Sequence, residues 1–73
     1  MKNDIARRRQ ARGLSQEELA EAVGVTRQSI NAIERDRTTP SLVLAFELAA
    51  FFDCRIEELF HYESESAYSR LGY

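Results

Sequence analysis

Residues 16–35, QEELAEAVGVTRQSINAIER, hold two short helical patterns with a glycine between them. Ser15 followed three residues on by Glu18 is a capping box, so one helix starts at Gln16 and runs through Leu19, Ala20 and Val23 to Gly24. Thr26 caps the next, which ends near Arg35. Gly24 supplies a left-handed backbone conformation that other residues reach only at a cost of about 1 kcal/mol, so the chain turns sharply there. Ala20 is small where the two backbones must come close. Leu19, Val23, Val25, Ile30 and Ile33 are spaced to face one another inside the angle. At about 100° per residue, Ile30 and Ile33 define the buried side of the second helix. Gln28, Asn31, Ala32 and Arg35 fall opposite, with Arg27 at the edge of that face.

Working outward, Asn3 or Asp4 opens a helix that runs to about Arg12, with Gly13 beyond its end. After a loop at Asp36 to Pro40, Ser41 caps a helix over Leu42–Phe52, and Ile56–Phe60 makes a short last one. The expected fold is all-α, five helices joined by short connections, with the paired helices second and third. The 73 residues hold 44% apolar and 30% charged residues, which fits one small soluble domain and excludes a disordered chain. A core of this size is marginal by itself, and dimerisation is the expected support. One cysteine, Cys54, and one histidine, His61, make neither a disulfide nor a four-ligand zinc site, so no metal or cofactor is expected. Cys54 reads as a packing residue and His61 as a surface one. With no apolar leader and no long uncharged stretch, neither secretion nor membrane spanning is indicated, and the expected location is cytoplasmic.

The net charge of −2 hides a split. Residues 1–40 carry a balance of +2, and residues 41–73 one of −4. A small arginine excess in one half is what a nucleic-acid face needs, and a solvated helix surface carries it equally well; the outer face of the third helix is polar and small. Such a face suits a DNA major groove, where arginine pairs bidentately with guanine and glutamine or asparagine with adenine.

The stretches Ser15-Gln16-Glu17-Glu18-Leu19-Ala20, Gly24-Val25, Ser29-Ile30, Ile33-Glu34, Pro40-Ser41 and Ile56-Glu57-Glu58-Leu59-Phe60 together resemble the Cro/repressor (Xre) family of bacterial and phage regulators, over residues 3 to about 61. The resemblance implies a phage-repressor-like fold with a helix-turn-helix at helices 2 and 3, and double-stranded DNA as partner. It implies that Gln16 binds a phosphate at a helix N-terminus. Thr26, Arg27 and Gln28 stand at the start of the recognition helix. Gln28 is expected to read a base and Arg27 either a base or a phosphate. Asn31, one turn on, touches a base or the backbone. Arg37 and Thr38, with Thr39, lie in the loop that approaches the phosphates. Arg9 and Glu34 match a pair that ties the first helix to the third. Two residues depart from the pattern. Ala32 stands where many relatives carry a longer polar side chain, and Asp36 replaces the usual glycine or asparagine, bringing a negative charge toward the phosphates.

Along the fourth helix Leu44, Leu48, Phe51 and Phe52 form the expected core stripe. Val43, Phe46 and Ala50 form a second one, apolar where relatives more often carry charge. With Ile56 and Phe60 they are the expected homodimer contact. Residues 1–61 are expected to form the DNA-binding domain. A tail over 62–73, with Tyr62, Tyr68, Leu71 and Tyr73, either packs, adds a short strand beside the N-terminus, or joins the dimer contact. The main reading is a homodimeric repressor. An antitoxin that captures a toxin protein and represses its own operon is the alternative, and an interaction module that lost DNA binding a further one. No enzyme is expected, since three scattered glycines make no phosphate cradle and the lone histidine has no nucleophile at motif spacing.

Overall fold

The computed structural model describes residues 1–62. Hydroxyl side chains start three of its helices at the anticipated places. Ser15 Oγ accepts the Glu18 N–H at 3.0 Å while Glu18 Oε1 accepts the Ser15 N–H at 2.9 Å, which closes the capping box. Thr26 Oγ1 accepts from the Ser29 N–H and Ser41 Oγ from the Leu44 N–H, each at 3.1 Å. The elements in order are β1 (Lys2–Asn3), α1 (Ile5–Ala11), α2 (Gln16–Val23), α3 (Arg27–Glu34), α4 (Leu42–Phe51), α5 (Ile56–Leu59) and β2 (Phe60–His61).

The start of α1 is shared between two side chains. Asp4 takes the N-cap position without a side-chain cap bond, and Asn3 Oδ1 accepts the Ile5 N–H at 3.1 Å instead. Asn3 Nδ2 also donates to the Ile33 carbonyl at 2.9 Å, so the beginning of the chain is tied to the end of α3. β1 pairs antiparallel with β2, Lys2 opposite His61 and Asn3 opposite Phe60. A short late strand is therefore present, at Phe60–His61 rather than in the expected tail over 62–73, and it takes Phe60 away from the fifth helix, which stops at Leu59.

Ile5, Leu19, Ile30, Leu48 and Leu59 are fully buried, one from each helix. Ala20, Ile33, Ala45, Ala49, Phe52 and Phe60 complete the core. The α4 stripe is shifted from the expected one: Leu48 and Phe52 are buried, but Leu44 and Phe51 lie at the edge while Ala45 and Ala49 face inward. Small residues take the inner face because α4 packs closely on α2 and α5. Cys54 packs against the core margin, as expected. Arg12 closes the far end of α4, donating to the Phe51 carbonyl at 2.9 Å with its guanidinium 5.5 and 5.3 Å from the Phe51 and Phe52 ring centres.

One expected surface residue is not at the surface. Phe60 is 6% exposed in the core, so it does not share an open stripe with Ile56. The strand backbone turns the Phe60 side chain inward, where a continued helix would have carried it elsewhere. Among the tail residues, Tyr62 is exposed, and Tyr68, Leu71 and Tyr73 lie outside the described residues. No described helix is long and apolar enough to cross a membrane.

Candidate nucleic-acid interface

The turn between α2 and α3 is made by Gly24, at φ +77°. Its N–H donates to the Glu21 carbonyl and the Val25 N–H to the Ala20 carbonyl, which closes the end of α2. A Cβ placed on Gly24 would meet nothing within 4 Å, so the backbone conformation alone calls for glycine. Ala20, at 2% exposure, sits in the core as its small size predicted.

With Ile30 and Ile33 buried, α3 turns Arg27, Gln28 and Arg35 out to solvent and leaves Asn31 and Ala32 half-buried on either flank. On the Ala32 side, a shallow cleft runs between α3 and the α3–α4 loop, lined by Thr26, Gln28, Ser29, Thr38, Thr39 and Pro40 among others. Asp36 holds the left-handed turn out of α3 at φ +60°, and the Arg37 N–H returns to the Ala32 carbonyl at 2.9 Å. An aspartate tolerates that conformation better than most side chains, and no glycine is needed. Arg37 and Thr38 are both exposed in this loop. The structure thus brings Thr26, Gln28 and Thr38 to one cleft. Thr26 stays at its N-cap post, its hydroxyl engaged by the Ser29 N–H and Ser29 hydroxyl.

On the Asn31 side the helix meets α1 and α2. Arg9 and Glu34 form the expected pair with two bonds, Nε to Oε2 at 2.8 Å and Nη2 to Oε1 at 3.2 Å. Their side chains are only 12% and 5% exposed. Arg9 Nη1 also donates to the Leu14 carbonyl at 2.7 Å, so the guanidinium is well satisfied. Sequence reasoning missed the next two links: Gln16 Nε2 donates to Glu34 Oε1 at 3.0 Å and to Asn31 Oδ1 at 3.2 Å. Gln16 therefore stands at the start of α2 with its carboxamide turned onto α3. No sequence signal marks these links, because residues 16, 31 and 34 meet only through the crossing of two helices.

A second face, on α4, is apolar. Leu42 is 70% exposed, Val43 72% and Phe46 59%, and Ala50 is exposed beside them. Leu42, Phe46 and Ala50 share a shallow groove with Cys54 and the half-buried Ile56. Leu42 was not among the anticipated contact residues.

A model of the helix-turn-helix family matches residues 5–59. Two relatives described as uncharacterised HTH-type transcriptional regulators cover nearly the whole chain. One, from Methanocaldococcus jannaschii, is 48% identical over 65 residues, 89% of this chain and 98% of that protein. The other, YgzD of Bacillus subtilis, is 44% identical over 66 residues, 90% of this chain and 100% of that protein. Among solved structures, the restriction-modification controller protein C.AhdI of Aeromonas hydrophila superposes with a TM-score of 0.70 at 39% identity, covering 77% of this chain and 85% of that one.

Proposed function

Because the chain belongs to the helix-turn-helix family of Xre/Cro type, we propose that it is a sequence-specific double-stranded DNA-binding transcriptional regulator, a homodimeric repressor of an approximately palindromic operator. The observation that carries the reading is α3 itself. Its outward face is polar, free of protein cover among the described residues, and flanked on one side by the start of α2 and on the other by the Thr38 loop. A single helix presented in this way fits the major groove, with flanking segments at the phosphates.

Gln28 is the principal base reader, Arg27 reads a base or grips a phosphate, and Asn31 contributes one turn further along. Thr26, Arg37 and Thr38 take phosphates on the cleft side. At the start of α2 the first-turn N–H groups receive a phosphate beside Gln16. Residues 1–61 act as the DNA-binding domain. Two such domains joined through Val43, Phe46, Ala50 and Ile56, with Leu42 added, place their recognition helices about 34 Å apart, one turn of B-DNA. The acidic later half then lies away from the phosphates, and repression by occupying the operator needs no further machinery.

Selection of bound sequences from random duplex DNA, using the full chain, tests the reading. Enrichment of an approximate palindrome with half-site centres about 10 base pairs apart is expected. Recovery of unenriched DNA would overturn it.

A further inference from the structure

We propose that Asn31 reads a guanine, because a chain of hydrogen bonds from the buried Arg9–Glu34 pair through Gln16 fixes which end of its amide is left for a base. The proposal rests on the DNA-binding reading above and adds the chemistry of one contact.

The chain begins at Glu34, whose carboxylate is 5% exposed and bonded twice by Arg9. An ionised carboxylate only accepts, so the Gln16 atom 3.0 Å from Oε1 must be the amide nitrogen. The reverse orientation would set two oxygens against each other. The second hydrogen of that nitrogen points to Asn31, 3.2 Å away, and the group receiving it must be Oδ1. Asn31, half-buried, is left with Nδ2, which carries two hydrogens and has no protein partner among the described residues.

An asparagine free to turn pairs with adenine by donating to N7 and accepting from the N6 amino group. With its oxygen held by Gln16, the Asn31 amide cannot flip without losing that bond, so Nδ2 is the atom left for a base, and an adenine amino group facing it would meet another donor. Guanine offers N7 and O6, two acceptors side by side, which suit two hydrogens on one nitrogen. Gln16 is placed in the same way. Its remaining amide oxygen is an acceptor and repels a phosphate, so an anion at the start of α2 is held by backbone N–H groups rather than by the Gln16 side chain.

Two measurements test the proposal on the full chain. In the free protein, nitrogen-15 spectra of side-chain amides should show the Asn31 resonances moving in Gln16→Met, a variant close in shape that cannot donate. Asn31 resonances unmoved by Gln16→Met would overturn the relay. In duplexes selected by binding, the position whose preference disappears in Asn31→Ala should carry guanine, favoured over adenine by roughly tenfold or more. Gln16→Met should bring adenine to within about threefold there, since the amide is then free to turn. Asn31→Asp keeps the bond from Gln16 and puts an acceptor in place of Nδ2, so it should fold normally and lose the guanine preference. Adenine preferred by the unmodified protein, or a preference indifferent to Gln16→Met, would overturn the assignment. Failure to bind any duplex would instead overturn the DNA-binding reading, and the guanine contact with it, while the amide spectra still report on the relay.

Discussion

α3 and α4 both lie at the surface, and they solve that exposure in opposite ways. α3 buries Ile30 and Ile33 and shows polar side chains, from Arg27 through Gln28 to Arg35. α4 buries Ala45, Leu48 and Ala49 and shows Leu42, Val43 and Phe46, with Glu47 the single charged residue along it. The first helix is content in water and offers hydrogen-bond donors and acceptors to a ligand. The second leaves large apolar groups in water, a face that a protein cover would stabilise. Charge follows the same division, arginine-rich before residue 40 and acidic after it. Nucleic acid on one side and a second copy of the chain on the other is the pairing of partners that this contrast supports.

The largest expected effect removes both faces at once. Glu34→Ala leaves Arg9 at 12% exposure without its partner, at a cost of about 3–5 kcal/mol. For a domain of this size that approaches the whole stability, so denaturant unfolding should show a largely unfolded chain at room temperature. A loss below about 1 kcal/mol would show that the pair behaves as an exposed one.

Phe46→Glu should separate the faces. Phe46 is 59% exposed, so the single domain should keep its melting temperature, while a carboxylate in the contact should turn dimers into monomers in light scattering. Affinity for a full palindrome should fall on the order of a hundredfold, and affinity for one half-site should be nearly unchanged. A dimer indifferent to this change would move the contact off α4.

Smaller effects dissect the polar face. Gln28→Ala should cost roughly 1–3 kcal/mol on the selected site and relax preference at one base position. Arg37→Ala should weaken specific and random duplexes alike and reduce the salt slope by about one. Equal losses for Gln28→Ala on specific and random DNA would remove it from base reading.

The contrast between the helices also marks how far the sequence could be read. Caps at Ser15, Thr26 and Ser41, the turn at Gly24 and the buried side of α3 depend on neighbours within one turn, and each was legible. The Arg9–Glu34 pair was legible through family resemblance. α4 was harder, since an apolar residue stands at nearly every position and no pattern says whether Leu42 or Ala45 turns inward. Phe60 fits the end of a helix as well as the start of a strand, and only the pairing with Asn3 decides. The Gln16–Asn31 contact depends on how α2 and α3 cross, which no local pattern encodes.

Gly24→Ala probes the turn that orients α3. The added Cβ meets open space, so the effect should be the left-handed strain alone, about 1 kcal/mol in denaturant unfolding. Unchanged stability would show that the turn relaxes away from φ +77° without cost.

Acid should act weakly, and more at the terminal ribbon than at α2. The Arg7 and then the His61 side chains, bonded to Asp4, hold its carboxyl below the usual range. The Arg55 N–H does the same for Glu58, and the Ser15 N–H for Glu18. In each case folding favours the charged form. The resulting stability is fully present above the ordinary carboxylate values, 3.8 for the aspartate and 4.5 for the glutamates, and is lost as pH falls through the lowered ones. Asp4 lies between β1 and α1 and is bonded to His61 of β2, so amides of the β1–β2 ribbon should lose protection in acid before those of α2 do. Asp4→Asn, Glu58→Gln and Glu18→Gln should each melt lower than the unmodified protein at about pH 6, and the difference should shrink as pH falls below the ordinary carboxylate values and through the lowered ones. A difference that persists unchanged into acid would mean that packing, rather than charge, is what the substitution removed.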